Sequence, residues 1–267
     1  MGKIVFSLVL LLVLSLCTKH YVFERLIQNH FVFDPLVLRK LIKEAVDSVP
    51  DTQIDPTYTP QAIKFKSDGW YKLPDSDGGP VLERPGGILE DRFTAIAKSL
   101  QEYYGKKHIS NADHDFYSPV ANQEKWLYVI VASAVGQVIM LHCSLTEYII
   151  IFGTPLGTTG HSGRYSMDVF DYIISGDHLT YAAGDLHATR HAPGEMTVLP
   201  RGESIIYQSA PHTYMVEYGR GFPGVLSAIF YPLLSALFQT LDFYTFAKQM
   251  YIVGSMVVNE LIYNNKI

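Results

Sequence analysis

Asp171 and Glu217 are isolated acids in apolar surroundings, and their chemistry sets the question this chain poses. A period-two reading of Tyr165–Ser175 puts Asp171 on one face with Val169 and Ile173. Glu217 stands in TYMVEYGRG, with Val216 and Tyr218 on either side and Met215 on its own face. A carboxylate on an apolar face must be paired, hydrogen-bonded or protonated. Two that share an apolar site cannot both ionise, so one keeps its proton near neutral pH. Such a pair can donate a proton to a weak base or grip a cationic amine. Alternatively Arg164, Arg220 or a tyrosine satisfies each acid separately, and the residues alone leave both arrangements open.

Other chemistries have weaker footing. His187 and His191 are four residues apart, with His142, His161 and His178 nearby in sequence. A metal centre on a small barrel would add a carboxylate and another histidine just after a Pro-x-Gly turn. Pro200-Arg201-Gly202 is followed by Glu203, Ser204 and Ile205 instead, so no metal is expected. There is no phosphate-cradling glycine loop and no Gly-x-Ser-x-Gly elbow. Ser162 beside His161 on a turn is not a catalytic dyad.

The elements that must position the acids are mostly strands. Ile149–Phe152 is a β-branched and aromatic run stopped by Gly153, which suits a strand buried on both faces. Gly157, Gly160 and Gly163 supply turns, and Tyr165–Ser175 resumes as a strand. Trp126–Val131, Gln137–Leu141, Thr197–Leu199, Ser204–Gln208 and Thr213–Tyr218 read as further short strands. Their spacing argues for a barrel or sandwich. Ahead of them, Asp34 and Pro35 open a helix with Leu38, Leu41, Ile42 and Ala45 as its apolar stripe. Glu90–Tyr104 is a second helix with Phe93, Ile96, Ala97 and Leu100 on one side and Gly105 as its stop. The segment around 50–89 is rich in Pro, Gly and Asp and reads as an irregular insertion, with Trp70 and Tyr71 available to dock it.

Both ends of the chain are apolar. Ile4–Cys17 has the length of a signal-peptide core or, extended by its flanks, of an anchor. Val225–Phe238, and a helix capped by Asp242 and running to about Tyr263, read as a pair lying on a bilayer or closing the barrel mouth. A buried helical hairpin is the alternative. With 18% charged residues and a mean hydropathy of +0.11, the composition points toward membranes. The net charge of -5 gives no reason to expect nucleic acid. Cys17 and Cys143 do not make a disulfide framework and read as buried thiols.

HCSLTEYIIIFGTPLGTTGHSGRY, DYIISG, PGE and TYMVEYGRG closely resemble the family uniting fungal C-8 sterol isomerase with the sigma non-opioid receptor. The resemblance runs from about Trp126 to the C-terminal helices, with weaker echoes at FVFDPLVLRKLI and YYGKKHI. It implies a mainly β fold with flanking helices: an N-terminal membrane helix, a cupin-like β-barrel without metal, and a membrane-associated C-terminal helical pair. The corresponding segments are 1–23, 24–125, 126–221 and 222–267. It also implies an endoplasmic reticulum membrane location and a homotrimer. By position, Asp171 and Glu217 match the paired pocket acids and Tyr148 the tyrosine that hydrogen-bonds the glutamate. Tyr165, Phe152 and Val169 fall on pocket walls, and Glu147 on a structural acid. Fungal isomerases carry their acids nearer to Asp168, which makes it a supporting residue here. Val131-Ala132-Ser133-Ala134 replaces the usual Asn-Ala-Gly-Gly turn, Leu199 a pocket histidine and Ser209 a pocket tryptophan.

The function so implied is sterol Δ8–Δ7 isomerisation without a cofactor. Moving the ring double bond needs protonation of an unactivated alkene, then loss of a proton from the neighbouring carbon. Glu217 is the leading acid/base candidate and Asp171 its partner, with their roles exchangeable. The competing reading is a membrane receptor that binds lipophilic amines or sterols without turnover.

Overall fold

The computed structural model describes residues 31–49 and 88–266. The N-terminal apolar run with Cys17, and the insertion as far as residue 87 with Trp70 and Tyr71, lie outside the described residues.

Helix α1 (Pro35–Asp47) starts where local chemistry puts it. The Asp34 side chain accepts from the Leu36 and Val37 amides, and Pro35 fills the first helical position. Helix α2 (Ile88–Tyr104) buries Phe93, Ile96, Ala97 and Leu100 and ends at Gly105, whose φ of +89° suits a helix stop. A short α3 (Pro119–Lys125), capped by Ser118, leads into the β domain.

Among the described residues ten strands follow: β1 (Leu127–Val131), β2 (Ala134–Cys143), β3 (Glu147–Thr154), β4 (Thr158–His161), β5 (Asp168–Ser175), β6 (His178–Tyr181), β7 (Thr189–His191), β8 (Met196–Leu199), β9 (Ile206–Ser209) and β10 (Thr213–Arg220). They form a six-stranded sheet in the order β1-β2-β3-β10-β5-β8 and a four-stranded sheet in the order β4-β9-β6-β7. The period of two sorts the larger sheet's side chains cleanly. Ile149, Ile151, Val216 and Tyr218 join the core under α1 and α2. Their alternates Ile150, Phe152, Met215 and Glu217 face an internal cavity instead. One sheet thus serves two apolar spaces.

Two expectations need correction, and two strands are new. The strand expected from Tyr165 begins at Asp168, because Gly163 (φ +79°) and the bend after it hold Tyr165 to Met167 out of the ladder. Gly160 is not a turn residue. It lies within β4, where an added Cβ would meet the Ala134 backbone nitrogen at 2.6 Å, so glycine here permits two strands to approach. Strands β6 and β7, which the sequence reading did not name, complete the smaller sheet.

Helices α4 (Gly224–Phe238) and α5 (Phe243–Tyr263) follow the barrel, and Asp242 caps α5 by accepting from the Thr245 amide. Their inner faces close the cavity through Ile229, Leu233 and Val253. Their outer faces leave Phe238, Tyr244 and Tyr251 exposed to 72–76%. A buried hairpin is therefore not what forms. Among the described residues no helix is long and apolar enough to cross a membrane.

Candidate functional site

Asp171 and Glu217 are direct cross-strand partners on β5 and β10. Directly opposed residues of an antiparallel pair point to the same side of the sheet. Both carboxyls therefore line one cavity, with Tyr148, Tyr165, Phe152 and Val169 among its walls. The sequence brought together six residues that the fold does place around one space.

The two acids are not equivalent. The Tyr148 hydroxyl donates to Glu217 Oε1 at 2.5 Å, while Asp171 Oδ1 is buried with no hydrogen-bond partner. Burial raises the pKa of Asp171 well above the ordinary carboxylate range, and the neighbouring Glu217 charge raises it further. Burial also raises Glu217, but the Tyr148 hydrogen bond opposes it by favouring the charged form. The proton of the pair thus rests preferentially on Asp171. The Tyr165 phenol, pushed up to about 12 by burial and then by Glu217, stays neutral beside them.

Neither expected arginine reaches the pair. Arg164 donates to the Gly202 carbonyl and to Ser204, and Arg220 Nε lies 3.8 Å from Asp168. Asp168 also accepts from the Arg201 amide at 3.0 Å and is not part of the cavity wall. Its odd spacing from Asp171 turns it to the other face of β5. Glu147 is structural: it accepts from the Val32 and Phe33 amides at 3.0 and 3.3 Å and from the Tyr218 hydroxyl at 2.6 Å, and it pairs with Lys266. One carboxylate thereby fixes the segment before α1, strand β10 and the C-terminal end.

Sequence reasoning missed four polar residues of the wall: Ser162, His178, Tyr207 and Gln249. His178 Nδ1 pairs with the Ser209 hydroxyl at 3.1 Å, and burial lowers its pKa to about 4. Position Ser209 was flagged by its departure from the family pattern, but its partner on β6 was not legible. The wall at Leu199 is apolar.

The histidines taken as metal candidates do not gather into one cluster, although His178 and His191 face each other across β6 and β7 with ring centroids 6.2 Å apart. His191 bonds Thr180, and His161 Nδ1 accepts from the Gly163 amide. Ser162 accepts from the Ile205 amide and forms no dyad with His161. A different group, His108, His142 and Glu260, holds possible ligand atoms within 4.8 Å of one another. Its carboxylate is already engaged by His108 at 3.1 Å and Asn264 at 2.8 Å, and the Lys266 charge acts on His142. That chemistry fits a polar clamp holding α5 to the barrel better than it fits a second cation.

Comparison with known proteins adds a family to this geometry. The family described as "ERG2 and Sigma1 receptor like protein" matches residues 83–265. The "Protein erg2 homolog" of Dictyostelium discoideum is 34% identical over 179 residues, 67% of this chain and 71% of that one. Sigma non-opioid intracellular receptor 1 of Gallus gallus is 41% identical over 121 residues, covering 45% of this chain and 54% of the receptor. C-8 sterol isomerase ERG2 of Gibberella zeae is 34% identical over 168 residues, 63% of this chain and 67% of the enzyme. Among solved structures, a cupin superfamily protein from Desulfitobacterium hafniense aligns over 34% of this chain and 83% of its own, at 14% identity and a TM-score of 0.30.

Proposed function

Because the chain belongs to the ERG2 and sigma-1 receptor-like family, we propose that it is a sterol Δ8–Δ7 isomerase working through its acid pair. The observation that carries this reading is the asymmetry of that pair in an apolar cavity. Asp171 holds a proton and Glu217, kept ionised by Tyr148, holds the charge. Asp171 gives its proton to C9 of the alkene, and the cation left at C8 is stabilised by the Glu217 carboxylate. Glu217 then removes a proton from C7, and those electrons form the C7–C8 double bond. One proton enters and one leaves, so the step needs no co-reactant. Once the product has left, Glu217 loses that proton to solvent and Asp171 takes one up, which restores the starting state. This reverses the order of the two acids suggested by sequence, where Glu217 led.

The cavity, which is partly open at its mouth, measures about 150 Å3. That is the size of a cavity that admits benzene, so a four-ring ligand requires α4 and α5 to part. The exposed aromatic face of these helices supports a resting place on a bilayer, with the ligand entering from lipid. An endoplasmic reticulum membrane location and a homotrimer belong to the same proposal.

The receptor relative and the ionised Glu217 favour a second reading, in which lipophilic amines or sterols bind without turnover. A site that stabilises a carbocation also binds an ammonium ion. Turnover separates the two. Purified protein should convert a Δ8 sterol to its Δ7 isomer, and Asp171→Asn and Glu217→Gln should each lose at least ~10²-fold in rate while still melting cooperatively. Full activity in both variants would sink the mechanism.

A further inference from the structure

Gln249 on α5 is the one polar residue that a helix contributes to the cavity wall among the described residues. Its side chain is oriented without ambiguity. The amide nitrogen donates to the Tyr128 carbonyl at 2.9 Å, an acceptor on the edge strand β1. Turning the amide over would set two carbonyl oxygens against each other, so the nitrogen must face β1. The side-chain oxygen is left buried, and none of the described residues donates to it. Gln249 is 4% exposed overall, so bulk water does not reach it readily either.

A buried carbonyl oxygen without a donor is uncommon and asks for an explanation. Its surroundings on the wall are apolar: Leu127, Val129, Leu233 and Val253. Two buried oxygens of the wall lack a partner among the described residues, Gln249 Oε1 and Asp171 Oδ1. Asp171 Oδ1 belongs to the acid pair already described. Gln249 stands away from it, because β1 and β10 are three strand spacings apart in the six-stranded sheet. The cavity therefore carries reactive carboxyls on one part of its wall and a lone acceptor on another, with aliphatic and aromatic surface between.

We propose that Gln249 is the anchor for the ligand's hydroxyl group, its side-chain oxygen accepting the hydrogen bond that none of the described residues supplies. The inference rests on the sterol reading above and sharpens it: the substrate class is 3-hydroxysterols, held by the hydroxyl of the first ring. A sterol matches the layout, with one donor at its end and its double bond further along an apolar ring system. Gln249 is a positioning residue. By fixing the hydroxyl it sets which carbons lie against Asp171 and Glu217. An acceptor-lined wall also discriminates, since a ligand without the hydroxyl leaves the oxygen unpaired. Because Gln249 sits on one of the two closing helices, occupancy of this hydrogen bond also ties the lid to the ligand.

The test compares a 3-hydroxysterol with its 3-deoxy analogue for binding to the detergent-solubilised full chain, wild type and Gln249→Met. Methionine keeps the length of the side chain and removes the acceptor. In the wild type the hydroxysterol should bind about tenfold tighter or more than the deoxy analogue, the effect of one buried hydrogen bond. In Gln249→Met the two should bind alike, with the deoxy analogue unchanged or tighter. Among turnover products, the variant should lose positional fidelity or rate with the hydroxysterol but not with the deoxy analogue. A wild-type ratio near one, or a ratio that survives in the variant, overturns the assignment alone. A preparation that binds a lipophilic amine but neither sterol overturns the sterol reading, and this assignment with it.

Discussion

Replacing Tyr148 with phenylalanine isolates the hydrogen bond that makes the acid pair unequal. The Tyr148 ring lies against Gly219, so phenylalanine fills the same space and only the hydroxyl is lost. That hydroxyl donates to Glu217 Oε1 at 2.5 Å inside a buried cavity. A hydrogen bond to a charged group contributes about 1.5–3 kcal/mol. At 1.36 kcal/mol per pKa unit, its loss should raise the pKa of Glu217 by roughly 1–2 units. The direction follows from the physics: the bond favours the carboxylate, so removing it favours the acid form. Glu217 must be ionised to stabilise a cation or to take up a proton, so the acidic limb of activity should move to higher pH by the same amount. Amine affinity should fall most on that acidic side and recover as pH rises. Parallel pH profiles of turnover and amine binding, for wild type and Tyr148→Phe, provide the assay. An acidic limb that stays in place, or moves to lower pH, would refute the assignment of Glu217 as the ionised partner.

Other consequences follow from the same structure. Folding raises the pKa of both Asp171 and Glu217, so the folded state binds more protons than the unfolded one. The associated stability is complete below the ordinary carboxylate range and is lost as pH rises through the folded-state values. Asp171→Asn should therefore melt at least ~2 °C higher than wild type near neutral pH, with a flatter pH dependence, and an equal or lower melting point would contradict the burial argument. Glu147→Gln removes a buried charge from Lys266 and weakens the contacts to Val32, Phe33 and Tyr218. Denaturant unfolding should show a loss of about 3 kcal/mol, and a loss under ~1 kcal/mol would deny Glu147 its structural role. Because the cavity, at about 150 Å3, is smaller than a sterol, stopped-flow association of a rigid four-ring ligand should fall below ~10⁵ M⁻¹s⁻¹. Faster binding would mean the helices already stand open.

What the sequence made legible was local and periodic. Asp34, Pro35 and Asp242 mark helix starts by chemistry confined to a few neighbouring residues, and each start stands in the structure. A period of two assigned Asp171 and Glu217 each to an apolar face but left their pairing open, and it was the family resemblance that implied the pair which β5 and β10 form. The unequal sharing of their proton was not, because it depends on a hydroxyl 69 residues away from Glu217. Gly160 misled for a related reason: glycine signals either a turn or a close approach, and only Ala134 on β2 tells which. His178–Tyr181 and Thr189–His191 are too short and too polar to read as strands, yet pairing with each other and with β9 makes them so. Gln249, next to Lys248 in the last helix, carried no signal of its own in the sequence. Its meaning lies in the Tyr128 carbonyl, 121 residues away, and in the oxygen left over.

The most direct measurement is incubation of the protein with a Δ8 sterol in deuterated water, followed by mass spectrometry of the products. Proton transfer through Asp171 and Glu217 predicts a Δ7 sterol carrying one solvent deuterium at C9, and no such product from Asp171→Asn. Recovery of unchanged, unlabelled Δ8 sterol from a preparation that still binds lipophilic amines would contradict the isomerase account and leave the receptor reading in its place.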